Sequence, residues 1–287
     1  MPEVSQQIFL GTDQVFGFYD NKWVGISPYE GSLLDANAQA FITATGITDA
    51  TTINAINTLV VSLKAQNLWT LMKAIYPMVG GTATTNKYNL VNPLDTDAAF
   101  RLNFVGGWTH SSSGAKPDGV SGTYADTFLN ASTNLTTSNG SFSYYSFTNN
   151  ADSEDVEIGV NTGAATTDEC LMAMRWTDGN QYGFYSQLGG SGGSAGGTSS
   201  GFGIINRATN AEMWRNGTRV VNAAGSTASM PNRPFYLAAQ NNGTGTNRNS
   251  SRGCCFAHIG DTLPTGAPAT FTTIVNTFNT TLGRNTF

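Results

Sequence analysis

The sequence predicts a mainly β protein, a two-sheet β-sandwich that carries an N-terminal extended arm, a helical hairpin and a C-terminal helix. From residue 83 onward, short apolar or aromatic runs alternate with Gly, Asn, Ser and Thr turns, as in sandwich folds. Charged residues make up only 11% of the 287 residues, whereas 33 are glycine. This composition favours turns and strands over long solvated helices. Helical periodicity is confined to residues 36–80 and to the segment that ends near Gly283.

Composition also excludes several classes of partner. The 14 Lys and Arg residues are outnumbered by 19 Asp and Glu residues, and no basic run occurs, so we expect no nucleic-acid partner. No apolar run approaches the roughly 20 residues that span a bilayer, so we expect no membrane partner. Residues 1–7 lack the basic and apolar regions of a secretory signal peptide, and we therefore expect synthesis and folding in a cytoplasm.

Residues 1–35 are predicted to be an N-terminal arm, because aromatic residues lie among glycines without a sustained period. Two interpretations remain open. The segment could add strands to the main sheet, or it could dock into a neighbouring subunit with its aromatic residues as anchors. The candidate attachment residues are Phe16, Phe18, Tyr19 and Trp23.

Residues 36–80 predict a helical hairpin. A short helix ends near Gly46, and Thr48 or Asp49 caps a longer helix. A second long helix is predicted from about Asn67 to the Tyr76-Pro77 pair. The apolar stripes of the two long helices are formed by Ile53, Ile56, Val60 and Leu63, and by Leu68, Leu71, Met72 and Ile75. These stripes must be buried against the sandwich or against a second chain.

Residues 81–287 predict the sandwich and its closing helix. Asn216-Gly217 between two apolar runs predicts a type I′ hairpin turn, while residues 188–201 are a low-complexity Gly/Ser loop. Gly106, Gly107 and Trp108 are predicted to be loop. The predicted strands are 86–89, 101–105, 125–129, 142–148, 155–160, 170–176, 181–185, 202–207, 211–215, 218–222, 235–239 and 253–259.

The closing helix and the cysteines give the most specific local predictions. Apolar residues from Phe271 to Leu282 lie on one helical face, and Gly283 stands where a C-terminal cap glycine belongs. Cys254 and Cys255 are adjacent, so their side chains point to opposite faces of a strand and are poorly placed to pair. Together with Cys170 they are predicted to be free, buried thiols.

Several segments from residue 36 onward resemble known families. Residues 213–220 (MWRNGTRV), 233–239 (RPFYLAA) and 256–261 (FAHIGD), with the helix through residues 282–284 (LGR), resemble a concanavalin A-like or laminin-G-like domain. More narrowly, the chain is similar to virion structural proteins of tailed bacteriophages. That similarity is carried by residues 59–77 (LVVSLKAQNLWTLMKAIYP), 87–90 (KYNL), 98–102 (AAFRL) and 106–110 (GGWTH). The resemblance implies a jelly-roll β-sandwich and a place in a virion.

Acidic residues offer little support for catalysis. Glucanases of this fold use Glu-x-Asp-x-x-Glu on one strand face, whereas Glu154, Asp155 and Glu157 lack that spacing. We therefore expect no enzyme activity and no obligatory cofactor. The same stretch could hold calcium, because hard oxygen ligands suit that ion, or it could be a solvated loop. The weak calcium candidates are Asp152, Glu154, Asp155 and Glu157.

Glycan binding needs an exposed aromatic ring with hydrogen-bonding side chains nearby. Trp176, Asp178 and Asn180 form the most attractive group, because a tryptophan at a strand end precedes a polar turn. Trp108 and His110 are a second candidate pair. A tryptophan in a sandwich is more often part of the core, so packing competes with binding for each of them.

The leading hypothesis is a non-enzymatic virion protein, either a capsid decoration or a tail or appendage protein. It would attach through its N-terminal region to other virion proteins and work as a homo-oligomer. The alternative is a receptor-recognition module that binds host surface glycans.

Overall fold

The computed structural model describes residues 34–151, 153–163, 168–186, 197–225 and 229–287, together with the backbone of three strands before residue 27. The chain forms two compact units, residues 1–35 and residues 36–287. The helical hairpin predicted for residues 36–80 therefore belongs to the same unit as the sandwich.

The N-terminal unit contains a three-stranded antiparallel sheet of its own. Its strands are β1 (Ile8–Leu10), β2 (Val15–Tyr19) and β3 (Lys22–Ile26), in the order β1-β2-β3. The predicted arm thus contains two consecutive hairpin connections.

The larger unit is mainly β. Its helices are α1 (Ala36–Thr45), α2 (Ala50–Ala65), α3 (Ala83–Asn86), α4 (Ala131–Asn134) and α5 (Ala267–Thr281). Its strands are β4 (Met72–Tyr76), β5 (Asn103–Val105), β6 (Trp108–Ser111), β7 (Gly114–Pro117), β8 (Tyr124–Asn130), β9 (Gly140–Ser146), β10 (Ile158–Asn161), β11 (Glu169–Ala173), β12 (Tyr182–Phe184), β13 (Gly201–Arg207), β14 (Asn210–Arg215), β15 (Thr218–Ala224), β16 (Pro234–Leu237), β17 (Gln240–Asn241), β18 (Thr246–Asn247) and β19 (Cys254–Gly260).

These strands form two sheets, which confirms the predicted β-sandwich. Sheet I has the order β15-β14-β13-β9-β19-β7-β6, with β4 also paired to β19. Sheet II has the order β12-β11-β10-β16-β8-β5, and β17 and β18 extend from β10. The core lies between the sheets, where Phe142 and Ile205 of sheet I meet Met172, Phe235 and Leu237 of sheet II.

Helix α5 covers the other face of sheet I. The ring of Phe271 lies 5.8 Å from that of Phe202 and 6.0 Å from that of Phe256. His258 points to the same face, where it is fully buried and bonded to the hydroxyls of Ser141 and Ser143. Helix α2 packs on α5, and α1 packs on α2. None of the helices in the described part of the chain is long and apolar enough to cross a membrane.

The end of α5 confirms the predicted cap and ties the fold together. Gly283 has φ +67°, and the Gly283 and Arg284 amides donate to the Thr280 and Asn279 carbonyls, the bonds of a Schellman motif. The buried Arg284 guanidinium then donates to the carbonyls of Pro77 and Met78. The last turn of the chain is thereby fastened to the residues that follow β4.

The predicted second long helix of the hairpin is wrong. A short 3-10 turn covers Trp69–Leu71, and β4 follows it, with Ile75 opposite His258 of β19. The free side of β4 is covered as well, because the Ile75 amide donates to the Asn89 side chain and the Leu90 amide donates to the Ile75 carbonyl. An apolar period compatible with a helix is thus overridden by tertiary strand pairing.

Two further predictions are wrong, and two are confirmed. Residues 86–89 were predicted as a strand but lie at and after the short helix α3. Trp108 begins strand β6, not a loop. The Asn216-Gly217 turn is as predicted, with φ values of +48° and +82° between β14 and β15. All three cysteines are free and buried, as expected.

Candidate ligand-binding surface

A tight turn between β11 and β12 positions Trp176. The Trp176 amide donates to the Asn180 carbonyl at 2.6 Å, and the Gly179 amide donates to the Trp176 carbonyl at 2.9 Å. Asp178 Oδ1 accepts from the Asn180 amide, and its Oδ2 accepts from Asn180 Nδ2 at 3.0 Å. The turn therefore brings together the three residues that the sequence singled out, Trp176, Asp178 and Asn180.

Strand β12 adds two aromatic rings beside this turn. The Tyr182 hydroxyl donates to Asp178 Oδ2 at 2.7 Å and, with the Asn180 bonds, holds the pKa of Asp178 below its usual value. The Tyr182 ring lies 6.0 Å from that of Trp176 and 6.4 Å from that of Phe184. Between them, Gly183 faces the core, since a Cβ there would lie 2.1 Å from Ile205 Cδ1. Tyr182 and Phe184 consequently point to the outer face of sheet II.

A cation lies over the tryptophan. The Arg248 guanidinium is 5.3 Å from the centre of the Trp176 ring, within the range of a cation–π interaction. Arg248 is held from the other side by Glu169 Oε2 at 3.7 Å and by Gln240 Oε1 at 3.3 Å. Burial raises the pKa of the Glu169 carboxyl, and its bond from Gln240 opposes that shift. We call Trp176, Asp178, Asn180, Tyr182, Phe184 and Arg248 the Trp176 surface.

A polar cleft of about 340 Å³ is bordered by Asn249 and Ser251, which follow Arg248 in the chain. The Asp118 carboxylate in this cleft has a lowered pKa, because the Val120 amide and the Thr123 hydroxyl donate to it. Asn150 Nδ2 donates to Ser251, and Asn249 Nδ2 donates to the Thr123 carbonyl. The cleft is lined by Asp118, Gly119, Asn150, Ala151, Ser153, Asp155, Asn249 and Ser251.

A buried ion pair supports both the Trp176 surface and the cleft. Arg252 Nη1 donates to Glu157 Oε1 at 2.9 Å, and neither side chain is exposed. Arg252 Nη2 also donates to the carbonyls of Ala151 in the cleft wall and of Arg175 just before Trp176. Burial raises the pKa of Glu157, while Arg252 opposes that shift. The Arg252 guanidinium thus holds two loops in place, the one that contains Ala151 and the one that contains Arg175.

The described calcium candidates, Glu154, Asp155 and Glu157, do not form a common site. Glu157 as a calcium ligand is wrong, because its oxygens accept from Arg252, Ser250 and the Met174 amide in the interior. Asp155 lines the polar cleft, Glu154 does not, and Asp152 lies outside the described residues. Among the residues that the structure describes, no group of three or more His, Cys, Asp or Glu side chains could hold a metal ion.

Trp108 and His110 lie together, but in a packing arrangement. The Phe104 ring makes T-shaped contacts with both, and its centre lies 5.0 Å from that of Trp108 and 4.7 Å from that of His110. The Trp108 indole donates to the Val105 carbonyl at 3.0 Å, and Asn86 Nδ2 donates to His110 Nδ1 at 2.9 Å. Because β5 and β6 are edges of different sheets, this edge cluster of Phe104, Trp108 and His110 closes one side of the sandwich.

The predicted attachment residues lie on β2 and β3. The backbone register places Phe18 opposite Trp23, with Phe16 and Tyr19 also on β2. The side chains of Phe16, Phe18, Tyr19 and Trp23 lie outside the described residues.

Sequence reasoning missed Arg248, Gln240 and the cleft, because these residues are distant in the chain from Trp176. Tyr182 and Phe184 could have been found. They alternate with a glycine in a segment that the sequence already predicted as a strand, and this alternation places both rings on one face.

No protein-family model and no curated protein matches the chain. Domain 4 of a GH43 extracellular arabinanase from Geobacillus stearothermophilus, in complex with arabinotriose, aligns with 71% of this chain and 98% of that domain, at 10% identity and a TM-score of 0.37. A Trypanosoma rangeli sialidase mutant displaying trans-sialidase activity aligns with 98% of this chain at 8% identity and a TM-score of 0.46. The binding domain of paraclostridial mosquitocidal protein 1 aligns with 73% of this chain at 10% identity and a TM-score of 0.36. This chain spans only 45% and 53% of the latter two proteins. Function must therefore be argued from this chain's own residues.

Proposed function

We propose that this chain is a non-enzymatic structural component of a bacteriophage virion, a capsid decoration or a tail or appendage protein. The supporting observation is the division of the chain at residue 35 into a small N-terminal unit, which contains a three-stranded sheet, and a much larger unit that contains the β-sandwich. A separate N-terminal unit suits attachment to other virion proteins, and the sandwich is then free for display. The resemblance of residues 59–77 and 106–110 to phage virion proteins supports the same assignment.

The proposal includes no catalysis. Paired carboxylates with access to substrate are the requirement for glycoside hydrolysis. Within the acidic stretch, Glu157 is fully buried and bonded to Arg252. Its carboxylate thus stabilises the fold and holds no position from which it could reach a sugar.

Deletion of residues 1–35 tests the attachment. We expect the shortened chain to fold but to be absent from purified particles by immunoblotting. The matched control keeps the segment and replaces exposed Thr96 with Ala, which should leave incorporation unchanged. Incorporation of the shortened chain at the level of the full chain would refute attachment through residues 1–35.

A second function is favoured by the Trp176 surface, which we propose binds glycans on a host surface. Among the described residues, none accepts a hydrogen bond from the Trp176 indole N–H, although the ring is only half-buried. A tryptophan with a free donor, beside a tyrosine and ordered Asp and Asn side chains, offers the apolar face and polar groups that a sugar requires. The polar cleft bordered by Asn249 and Ser251 offers further hydrogen-bonding groups for sugar hydroxyls.

Binding of the full chain to a glycan array and to host cells tests this function. We expect binding that is lost in Trp176→Ala and retained in Trp108→Phe, because the edge cluster lies on another side of the sandwich. If neither the array nor the cells retain the unaltered chain, the glycan proposal is wrong while the virion proposal stands.

A further inference from the structure

Gln181 is a fully buried side chain whose amide has no partner. In the described part of the chain, neither its Oε1 nor its Nε2 makes a hydrogen bond. Buried polar groups in folded proteins are almost always hydrogen-bonded, and the exceptions commonly mark the position of a bound water or ion. The unpaired amide of Gln181 therefore indicates a ligand inside the sandwich.

Gln181 lies beside a buried arginine. Continued by one pair, the register of β11 and β12 places Gln181 opposite Met174, and both side chains point to the core as Gly183 does. From β14 of the other sheet, Arg215 Nη1 donates to Met174 Sδ at 3.0 Å. The unpaired amide and the Arg215 guanidinium thus both lie beside Met174, at the same end of the core.

The positive charge of Arg215 is poorly compensated. Its Nη2 donates to the carbonyls of Thr198 and Ser200, at 3.2 and 2.5 Å, and its Nε–H has no partner among the described residues. These carbonyls are neutral, and the thioether that accepts from Nη1 is a weak acceptor. Burial lowers the pKa of Arg215 to about 10, so the guanidinium is still charged at pH 7.

The balance of buried charges at this end of the core favours an anion over a water molecule. Arg215 and Arg252 supply two buried guanidinium groups, whereas Glu157 supplies one carboxylate. The three groups act on one another, since Glu157 raises the pKa of Arg215 and Arg252 lowers it. The Glu157 carboxylate is already bonded to Arg252 and to the Met174 amide. One positive charge thus remains in the interior without a counterion, which is unfavourable.

We propose that a small monovalent anion of the chloride type binds between Gln181 and Arg215. The Arg215 Nε–H and the Gln181 amide N–H groups donate to it, and its charge balances that of the second guanidinium. The complete burial of Gln181 restricts the ligand to a monatomic or similarly small ion. This internal site requires neither the virion role nor glycan binding.

Equilibrium unfolding of the full chain in urea tests the site. Sodium chloride is raised tenfold while sodium gluconate keeps the ionic strength constant. For one tight site that only the folded chain possesses, the folding equilibrium constant should rise by about tenfold. We expect this rise in the unaltered chain and its loss in Arg215→Met. Arg219→Met is the matched control and should keep the rise, because Arg219 is exposed and paired with Glu212.

A second variant covers the case in which Arg215→Met does not fold. Gln181→Leu removes the amide donors, keeps a side chain of similar size, and should also reduce the response to chloride. Equal responses in Arg215→Met, or in Gln181→Leu, and in Arg219→Met would reveal a general salt effect and overturn the proposal. A chain whose unfolding does not respond to chloride would overturn it as well.

Crystallography identifies the occupant of the site. For the full chain refolded and crystallised in sodium bromide, we expect one anomalous peak at the bromine absorption edge, within hydrogen-bonding reach of Arg215 Nε and Gln181 Nε2. An ordered water alone at this position would refute the anion, as would a Gln181 amide bonded only to protein groups.

Discussion

The edge cluster and the Trp176 surface are built from similar residues but are held in different ways. In the edge cluster, the Trp108 indole N–H is used by the Val105 carbonyl, and the ring packs against the core. In the Trp176 surface, a guanidinium lies over the ring and no described residue accepts from the indole N–H. Two features therefore distinguish a tryptophan that packs from one that is a candidate for binding. The first is whether the indole N–H has a partner within the protein, and the second is which group lies over the ring.

The two regions also depend on different physical supports. Apolar contacts with the core hold the edge cluster, whereas a buried ion pair holds the loops beneath the Trp176 surface. The two regions should therefore respond differently to substitution, and the following predictions run from the largest expected effect to the smallest.

Removing the Glu157 carboxylate should have the largest effect. Glu157→Ala leaves Arg252 buried without its counterion, which we expect to cost about 3–5 kcal/mol of unfolding free energy in urea denaturation. The control is Asp97→Asn at the exposed Asp97–Arg101 pair, where a loss of about 0–1 kcal/mol is expected. Equal losses in the two variants would mean that the buried pair does not support the loops.

Truncation of Trp108 should come second. Trp108→Ala removes a half-buried ring from the side of the core, and we expect a loss of about 2–3 kcal/mol in unfolding free energy. Trp108→Phe, which keeps most of the apolar contact, should lose less than half of that. Glycan binding, if measured on the same samples at a temperature where they are folded, should not change. A loss of binding without a loss of stability would reverse the assignment of the two regions.

Truncation of Trp176 should show the opposite pattern. Trp176→Ala removes a ring with no core contact of its own, so we expect less than about 1 kcal/mol of destabilisation. Glycan affinity should fall by about tenfold or more, the loss expected when an aromatic anchor is truncated. Thermal unfolding and glycan titration of one preparation measure both quantities. Destabilisation equal to that of Trp108→Ala would identify Trp176 as a packing residue.

The smallest effect concerns pH and the edge cluster. Burial lowers the pKa of His110, so the folded state favours the neutral ring more than the unfolded state does. The resulting stability is present above about pH 6.5 and is lost as pH falls toward the folded-state pKa. His110→Gln should therefore lose less stability than the unaltered chain between pH 7 and pH 5. His258, whose pKa burial lowers to about 3, contributes equally to both proteins and cancels. If the unfolding free energies of the two proteins changed by the same amount between pH 7 and pH 5, burial would not lower the pKa of His110.

Local signals in the sequence were sufficient for much of the fold. The Asn216-Gly217 turn and the Gly283 cap depend on the φ values of single residues, and both were predicted correctly. The residues of the turn that begins at Trp176 are also close in sequence, and the structure brings them together. Where the determining contacts lie within a few residues, pattern and propensity identify the structure.

Long-range contacts explain the errors. Met72 to Tyr76 became a strand because β19 pairs with it, and that partner lies near the other end of the larger unit. Glu157 was placed among calcium candidates because its partner Arg252 lies 95 residues away in sequence. The position of Arg248 over Trp176 is equally remote from any local pattern. Such contacts require the assembled sheets and cannot be read from periodicity.

The hydrogen bonds from Arg284 to the Pro77 and Met78 carbonyls, which we call the Arg284 clamp, have a consequence for biosynthesis. Its contact with the Met78 carbonyl joins residues 206 positions apart. At typical rates of translation, about 10–40 s pass between the synthesis of these two residues. During that interval β4 has neither β19 nor the clamp, and α2 has no α5 to cover its apolar stripe. In the nascent chain, the backbone of β4 and the apolar stripe of α2 therefore remain uncovered until β19 and α5 have been synthesised. A ribosome that stops before β19 releases a product in which β4 lacks its partner strand and α2 lacks α5, and we expect such a product to be cleaved by proteases faster than the finished chain.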